Sequence, residues 1–161
     1  MTELKITQNF KDWACSFSGC DGGNPESGIW LSGIEWGYGK EKSQTKDEYE
    51  TALRNYYTKE LPEEIAKGKY TPPDKYHWLE RGTYKIIVRK LYHAIRGKAV
   101  KDYDGSEIFK MNLYPIAFRN TDGKLWKDWG LDKLTGFEEK ELFKTWCFLH
   151  RFSFIREQVK K

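Results

Sequence analysis

Two polar residues stand where apolar segments of the sequence end, and both have side chains suited to chemistry. Glu35 follows the apolar run at 29–34 within a glycine-rich stretch, and Asn112 lies near the end of the segment 107–118. A carboxylate can take a proton from water, whereas an amide offers a donor and an acceptor in one plane. The pattern therefore predicts a carboxylate that activates water beside an amide that reads the edge of a pyrimidine.

Each of these residues also has a plainer structural interpretation. The glycines around Glu35 can simply form a tight turn, with the carboxylate capping a following helix or pairing with a lysine. The Asn112 amide can bind neighbouring backbone where the strand turns into a loop. The sequence leaves both interpretations open.

Glycine and aromatic residues surround these two polar positions. Glycines let the backbone approach a ligand closely, and exposed aromatic rings stack on bases with a gain of about 1 to 3 kcal/mol per base. Core packing explains the aromatic residues equally well. With Glu35 as the predicted catalytic residue, the predicted binding residues are Gly33, Trp36, Gly37, Tyr38, Asn112 and Tyr114.

Two strands and three helices are predicted to position this site. Apolar runs predict the strands, and apolar residues at helical spacing predict the helices. Strands separated by helices pair in parallel, and ligands collect beyond the carboxyl ends of such strands. The predicted fold class is α/β, with a small, mostly parallel sheet flanked by helices. The predicted strands are 29–34 and 107–114, and the predicted helices are 47–59, 75–96 and 138–158.

The remaining segments are predicted to be connections or surface. Gly, Ser, Asn and Pro favour turns, which predicts a loop at 15–28 and a surface connection at 61–73, with one short helical turn in the latter as an alternative. On the helix at 75–96, the predicted apolar stripe comprises Tyr84, Ile87 or Val88, Leu91 and Ile95. Basic residues cluster at the end of that helix, where they either complement the helix dipole or bind a phosphate.

Composition limits the class of protein. The chain has 161 residues, which fits one domain, and its net charge of +4 permits contact with phosphates without establishing it. The three cysteines and three histidines show no metal-ligand spacing, and no nucleotide-binding glycine motif is present. No metal or cofactor is therefore predicted. Without a signal sequence or an apolar run of about 18 residues, we expect a cytoplasmic protein.

The sequence around Glu35 resembles a known family. GIEWG at 33–37 is similar to the first motif of the uracil-DNA glycosylase superfamily, Gly-x-(Asp/Asn)-Pro-(Gly/Tyr). NLYPIAFRN resembles the next strand of that superfamily, which ends near an asparagine, and EEKELFKTWCFLHRFSFIREQVKK resembles the helix that follows. The resemblance spans most of the chain from Gly19 onward.

The resemblance implies roles for the same residues. Glu35 would position or activate the hydrolytic water, and Asn112 would recognise the pyrimidine. Trp36 stands where the family has proline, and the family's later strand, His-containing motif and DNA-wedging loop have no counterpart up to Lys161. The chain also resembles the N-terminal part of longer bacterial and phage-associated proteins with FSGCDGGNP and GIEWG signatures. We therefore expect residues 1–161 to form one α/β domain, an incomplete glycosylase-like three-layer fold truncated at the C-terminus.

Three functions are compatible with the sequence. The first is a base hydrolase that acts on single-stranded or damaged DNA, with Glu35 positioning water. The second is a non-catalytic module that uses part of the same fold to bind nucleic acid or a protein partner. A sheet of only two predicted strands also makes a homo-oligomer an open alternative. The third, a small-molecule or nucleotide-binding domain, has no motif to support it, and no membrane partner is expected.

Overall fold

A computed structural model describes residues 6–34, 44–72, 82–97, 107–118 and 125–160. Within these ranges the chain forms an α/β fold in which helices surround a three-stranded sheet. No helix in the described part of the chain is both long enough and apolar enough to cross a membrane.

The sheet has the strand order β1-β3-β2. Its strands are β1 at Cys20–Gly23, β2 at Trp30–Gly33 and β3 at Phe109–Asn112. β2 pairs with β3 in parallel, as predicted for strands separated by helices, whereas β1 pairs with β3 antiparallel. The α/β class and the two predicted strands are confirmed, but the sheet is mixed rather than mostly parallel.

β1 lies in a segment that the sequence predicts to be a loop. Two of its four residues are glycines, which are depleted from strands in general. Here glycine allows close approach of two backbones, because a β-carbon added at Gly23 would lie 2.5 Å from the Ile108 carbonyl oxygen and from the Phe109 α-carbon. Gly23 also has a φ of +128°, which disfavours any other residue. The glycines that suggest a turn in the sequence therefore permit a strand beside β3.

Helices account for most of the rest of the described chain. Thr45 and Glu48 form a capping box at the start of the second helix. The helices are α1 Gln8–Ala14, α2 Lys46–Asn55, α3 Leu61–Lys67, α4 Gly82–Arg96, α5 Leu125–Asp128, α6 Leu131–Thr135, α7 Lys140–Leu149 and α8 Arg151–Val159.

Two predicted boundaries differ from the structure. A π-helical segment, Tyr56–Glu60, connects α2 directly to α3, so the start of the predicted connection at 61–73 is helical over seven residues, more than the short turn that the sequence allows. Pro62 is compatible with this helix because it lies in the first turn, where a backbone N–H has no intrahelical partner. The predicted helix at 138–158 is confirmed as α7 followed by α8, with the junction at His150.

Helices cover both faces of the sheet. On one face, Val88 and Tyr92 of α4 form a buried cluster with Ile29 and Ile108. On the other face, the Phe17 ring lies 5.4 Å from the ring of Phe109 in β3 and 5.4 Å from that of Phe154 in α8. A larger core lies beside the sheet and joins α1, α2, α3 and the helices from α5 to α7.

The apolar stripe predicted for α4 is displaced from the one that packs. Val88 and Tyr92 are buried, whereas Ile87, Leu91 and Ile95 are exposed. Both stripes have helical spacing, so periodicity alone does not distinguish them. The packing is decided by the contacts of Val88 and Tyr92 with Ile29 and Ile108.

Candidate functional site

The two parallel strands bring the predicted site positions together at one edge of the sheet. In the register of β2 and β3, Gly33 pairs with Asn112, and both residues are the last of their strands. The pairing continues beyond the strands, because the Leu113 N–H donates to the Gly33 carbonyl at 2.8 Å and the Tyr114 N–H donates to the Ile34 carbonyl at 2.9 Å. Asn112 therefore lies at the carboxyl edge where the sequence predicts it, and Glu35, its predicted neighbour there, lies outside the described residues.

The Asn112 side chain is buried, with only 2% of its surface exposed. Its Nδ2 donates to the Gly19 carbonyl at 2.8 Å and to Asp21 Oδ2 at 3.4 Å. The Asn112 backbone N–H also donates to the Gly19 carbonyl, at 3.3 Å. The amide thus binds backbone in the loop before β1, which is the plainer of the two interpretations that the sequence allows.

The Asn112 side chain leaves space only for glycine at position 33. A β-carbon added at Gly33 would collide with Asn112 Oδ1, which lies on the same face of the sheet. A larger residue would displace the amide from its position and so disturb its bonds to Gly19 and Asp21. The glycine therefore serves the packing of Asn112 at the strand ends.

An ion pair lies next to this amide. Lys110 of β3 contacts Asp21 Oδ2, and both side chains are mostly buried. Asp21 Oδ2 therefore accepts hydrogen bonds from both Lys110 and Asn112. The resulting polar network joins β1 to β3 on the face that carries α4, because Lys110 and Asn112 alternate with the oppositely directed Phe109 and Met111.

A buried arginine, which the sequence analysis does not identify, organises the same strand end from the other side. Arg151, the first residue of α8, is completely buried. Its guanidinium donates to the backbone carbonyls of Asn112 at 2.9 Å and Leu113 at 2.8 Å. It also donates to four oxygens in and after α1, namely Ala14 O, Ser16 O, Ser18 O and Ser18 Oγ.

These contacts explain how a buried cation is tolerated. Arg151 has five N–H donors, and every partner named above is an uncharged oxygen, so the guanidinium is hydrogen-bonded throughout. The Ala14 carbonyl ends α1, where the helix dipole favours a positive charge. Burial lowers the pKa of Arg151 to about 10, so the side chain remains charged at neutral pH. Arg151 therefore ties α1, the end of β3 and α8 together.

Tyr114 lies two residues beyond the end of β3 and packs against α7 and α8. Its ring is 6.3 Å from Phe143 and 5.9 Å from Phe152, and Lys144 Nζ lies 5.7 Å from the ring centroid. The structure therefore places this predicted stacking residue at the carboxyl edge, partly buried among other aromatic rings.

The other predicted site residues lie outside the described residues. These are Glu35, Trp36, Gly37 and Tyr38. Of the predicted set, the structure thus brings together Gly33, Asn112 and Tyr114. The roles of the four others remain sequence predictions.

The cysteines and other ligand types show no metal centre in the described part of the chain. No group of three His, Cys, Asp or Glu side chains there could hold an ion. The three cysteines are free thiols, and burial raises the pKa of both Cys20 and Cys147 to about 12. These two thiols are therefore neutral and poor nucleophiles at neutral pH.

No protein-family model, curated protein or solved structure matches the chain. The function of the site is therefore inferred from its residues and their geometry.

Proposed function

We propose that this chain binds a nucleic-acid base at the carboxyl ends of β2 and β3 and hydrolyses the bond between the base and its sugar. The observation that carries the proposal is the in-register parallel pairing of Gly33 with Asn112. The pairing supports the proposal because the two segments that resemble the first motif and the next strand of the uracil-DNA glycosylase superfamily lie side by side. Glu35 follows Gly33 closely enough in sequence to serve the same edge.

The proposed reaction needs a carboxylate and a water molecule. Glu35 takes a proton from the water while the water oxygen bonds to C1′ of the sugar and the C1′–N bond to the base breaks. The base leaves with the bonding electron pair and takes up a proton. A single-stranded substrate is favoured because its base needs no unpairing before it enters the site.

The role of Asn112 in this proposal differs from the one that the sequence suggests. Both N–H donors of its amide have partners, in Gly19 and Asp21, and Gly33 packs against Oδ1. Asn112 then acts as a positioning residue that fixes the ends of the two strands. Recognition of the base falls to groups nearer the surface of this edge.

Release of free base from uracil- or hypoxanthine-containing single strands tests the proposal. Glu35→Gln should lower the release rate by about 10² to 10⁴, the usual contribution of general-base catalysis. Glu63→Gln, which changes an exposed carboxylate on α3, is the matched control and should release base at the wild-type rate. Absence of release from every such substrate, or equal release by Glu35→Gln, would overturn the hydrolase proposal.

A non-catalytic binding module is the second candidate, and one observation favours it. The buried and hydrogen-bonded Asn112 amide leaves no donor for a base. Under this proposal the strand ends serve as a scaffold, and the surface of the protein binds its partner. Binding of single-stranded DNA without base release, and with affinity that falls as salt rises, is the expected result. Binding of neither DNA nor RNA would contradict the nucleic-acid version.

A further inference from the structure

A stripe in which cationic residues flank a pair of phenylalanines runs along α7 and α8. Its members are spaced by four residues, and we call it the outer stripe. They are Lys144, Phe148, Phe152, Arg156 and Lys160. At about 1.5 Å of rise per residue, this set extends over roughly 24 Å. Residues four apart are neighbours on a helix, so each member of the set lies beside the next.

The stripe continues across the junction between the two helices. The His150 N–H donates to the Trp146 carbonyl at 2.9 Å, and the Phe154 N–H donates to the His150 carbonyl at 3.4 Å. The Phe148 and Phe152 rings lie on either side of this junction, with centroids 5.5 Å apart. Phe148 and Phe152 are therefore neighbours although α7 ends and α8 begins between them.

The aromatic part of the stripe connects the candidate site to the protein surface. Phe152 packs against Tyr114, whose backbone follows the carboxyl end of β3, at a ring distance of 5.9 Å. Phe148 lies next to Phe152 and exposes 63% of its surface. A ring with so much exposed surface has little role in the core, and it offers a π-face to a ligand.

The charged part of the stripe favours an anionic partner. The side chains of Arg156 and Lys160 are 67% and 65% exposed. Two carboxylates neighbour these cations: Glu141 pairs with Lys144 at 3.3 Å, and Glu157 pairs with Arg156 at 3.6 Å and Lys160 at 3.5 Å. Exposed ion pairs such as the two of Glu157 contribute only about 0 to 1 kcal/mol, so a phosphate can compete for Arg156 and Lys160.

We propose that the outer stripe is a binding surface for single-stranded nucleic acid, on which bases stack on Phe148 while Arg156 and Lys160 contact phosphates. The combination of an exposed aromatic ring with a line of cations is what sequence-independent single-strand recognition requires. Because Phe152 of the stripe contacts Tyr114, nucleic acid bound along the stripe reaches the carboxyl edge of the sheet. The identification of the partner as a nucleic acid rests in part on the proposed function, whereas the exposure and charge of the outer stripe do not depend on it.

Fluorescence anisotropy with a labelled 12-nucleotide oligodeoxythymidine measures this binding directly. Phe148→Ala should weaken affinity about fivefold or more, as expected for loss of one stacked base. Phe148→Leu should lose as much, because it remains apolar without an aromatic face, whereas Phe148→Trp should keep wild-type affinity. Ile87→Ala removes an equally exposed apolar side chain from α4 and should leave binding unchanged.

The salt dependence tests the cationic half of the stripe. Binding should weaken as salt rises, and Arg156→Gln should reduce the slope of log affinity against log salt by about 0.7, the value for one phosphate contact on a single strand. Failure of the wild-type chain to bind, affinity unaffected by salt, or full affinity in both Phe148→Ala and Phe148→Leu would overturn the proposal. Affinity retained in Phe148→Leu but lost in Phe148→Ala would overturn the proposed stacking of bases on Phe148, because an apolar side chain without an aromatic face would then suffice.

Failure of this proposal can be separated from failure of the hydrolase proposal. Binding that depends on Phe148 without any base release would retain the outer stripe and reject hydrolysis. Base release that vanishes in Glu35→Gln, together with binding that is unaffected by Phe148→Ala, would retain hydrolysis and reject the stripe.

Discussion

Two neighbouring stripes of α7 and α8 differ by one residue in register and have opposite environments. The inner stripe contains Phe143, Cys147 and Arg151, and all three are completely buried. The outer stripe, one position later along the chain, ends in exposed Arg156 and Lys160. Both stripes combine aromatic and cationic residues, so composition does not distinguish them. The neighbours of each stripe determine whether it stabilises the fold or faces solvent.

Arg151 and Arg156 show the difference between the two stripes most clearly. Arg151 donates hydrogen bonds to backbone carbonyls of α1, of the loop that follows α1 and of the residue after β3. All these partners lie inside the protein. Arg156 has only the adjacent Glu157 as a charged partner among those described, and most of its side chain meets solvent. A fixed set of acceptors makes the first a structural residue, whereas solvent exposure leaves the second available to a ligand.

Loss of Arg151 is expected to destabilise the protein strongly. Arg151→Met removes every donor from the carbonyls of α1, the following loop and β3, and each buried unsatisfied oxygen costs about 1 to 3 kcal/mol. We expect the free energy of unfolding to fall by at least about 3 kcal/mol in urea denaturation. Arg151→Lys should recover only part of this loss, because an ammonium has three donors instead of five.

Arg156→Met is the matched control on the outer stripe. It should change the free energy of unfolding by less than about 0.5 kcal/mol, as is usual for exposed positions. Similar stability losses in Arg151→Met and Arg156→Met would show that the two stripes are not functionally distinct.

Two phenylalanines provide the next test of the comparison. Phe143 is completely buried among the rings of Phe10, Phe137 and Trp126, whereas Phe148 is mostly exposed. Phe143→Ala should destabilise the protein by about 3 to 5 kcal/mol, because it leaves a cavity. Phe148→Ala should cost less than about 0.5 kcal/mol and affect nucleic-acid binding instead. Thermal or urea unfolding of both variants, with binding measured in parallel, separates the two roles.

The sequence predicts the parallel strand pair well, for identifiable reasons. The apolar runs before Gly33 and Asn112 are long enough to indicate strands, and the intervening helical segments require a parallel connection. β1 could not be predicted in the same way, because CDGG has no apolar pattern. Its strand conformation depends on the Phe109 backbone approaching Gly23, a tertiary contact 86 positions later in the chain.

The role of Arg151, on the inner stripe, could not be predicted from the sequence. Arg151 stands in the basic and aromatic segment HRFSF, which gives no signal that this cation is buried while Arg156 is exposed. All its partners except Ser18 Oγ are backbone carbonyls, which have no sequence signature. The position of Arg151 four residues after the apolar Cys147, and eight after Phe143, is the one pattern that places it on the buried face.

Cys147, on the inner stripe, is expected to make the stability of the protein depend on pH. Burial raises the pKa of Cys147 to about 12, from a usual value of 9.0. Between these values the unfolded chain loses a proton that the folded chain keeps, so stability falls as pH rises above about 9. Cys147→Ser should reduce this alkaline loss of stability.

The same substitution has a cost at neutral pH. A buried hydroxyl needs a hydrogen-bond partner, so Cys147→Ser should lower the free energy of unfolding by about 1 to 3 kcal/mol at pH 7. Urea denaturation between pH 7 and pH 10 measures both effects, with Thr145→Ser at an exposed position of α7 as the control. An alkaline slope that is identical in wild type and Cys147→Ser would contradict the assignment of this thiol.

The smallest expected effect comes from the carboxylate that neighbours the outer stripe. Glu157 contacts Arg156 at 3.6 Å and Lys160 at 3.5 Å, and all three side chains are exposed. Glu157→Gln removes the competing negative charge, so both cations become more available to phosphate. We expect an increase of about twofold in affinity for oligodeoxythymidine at low salt, and little change at high salt, where exposed charges are screened. Stability should remain within about 0.5 kcal/mol of wild type. Because the change raises affinity, misfolding cannot imitate it, and weaker binding by Glu157→Gln would indicate that the nucleic acid lies elsewhere.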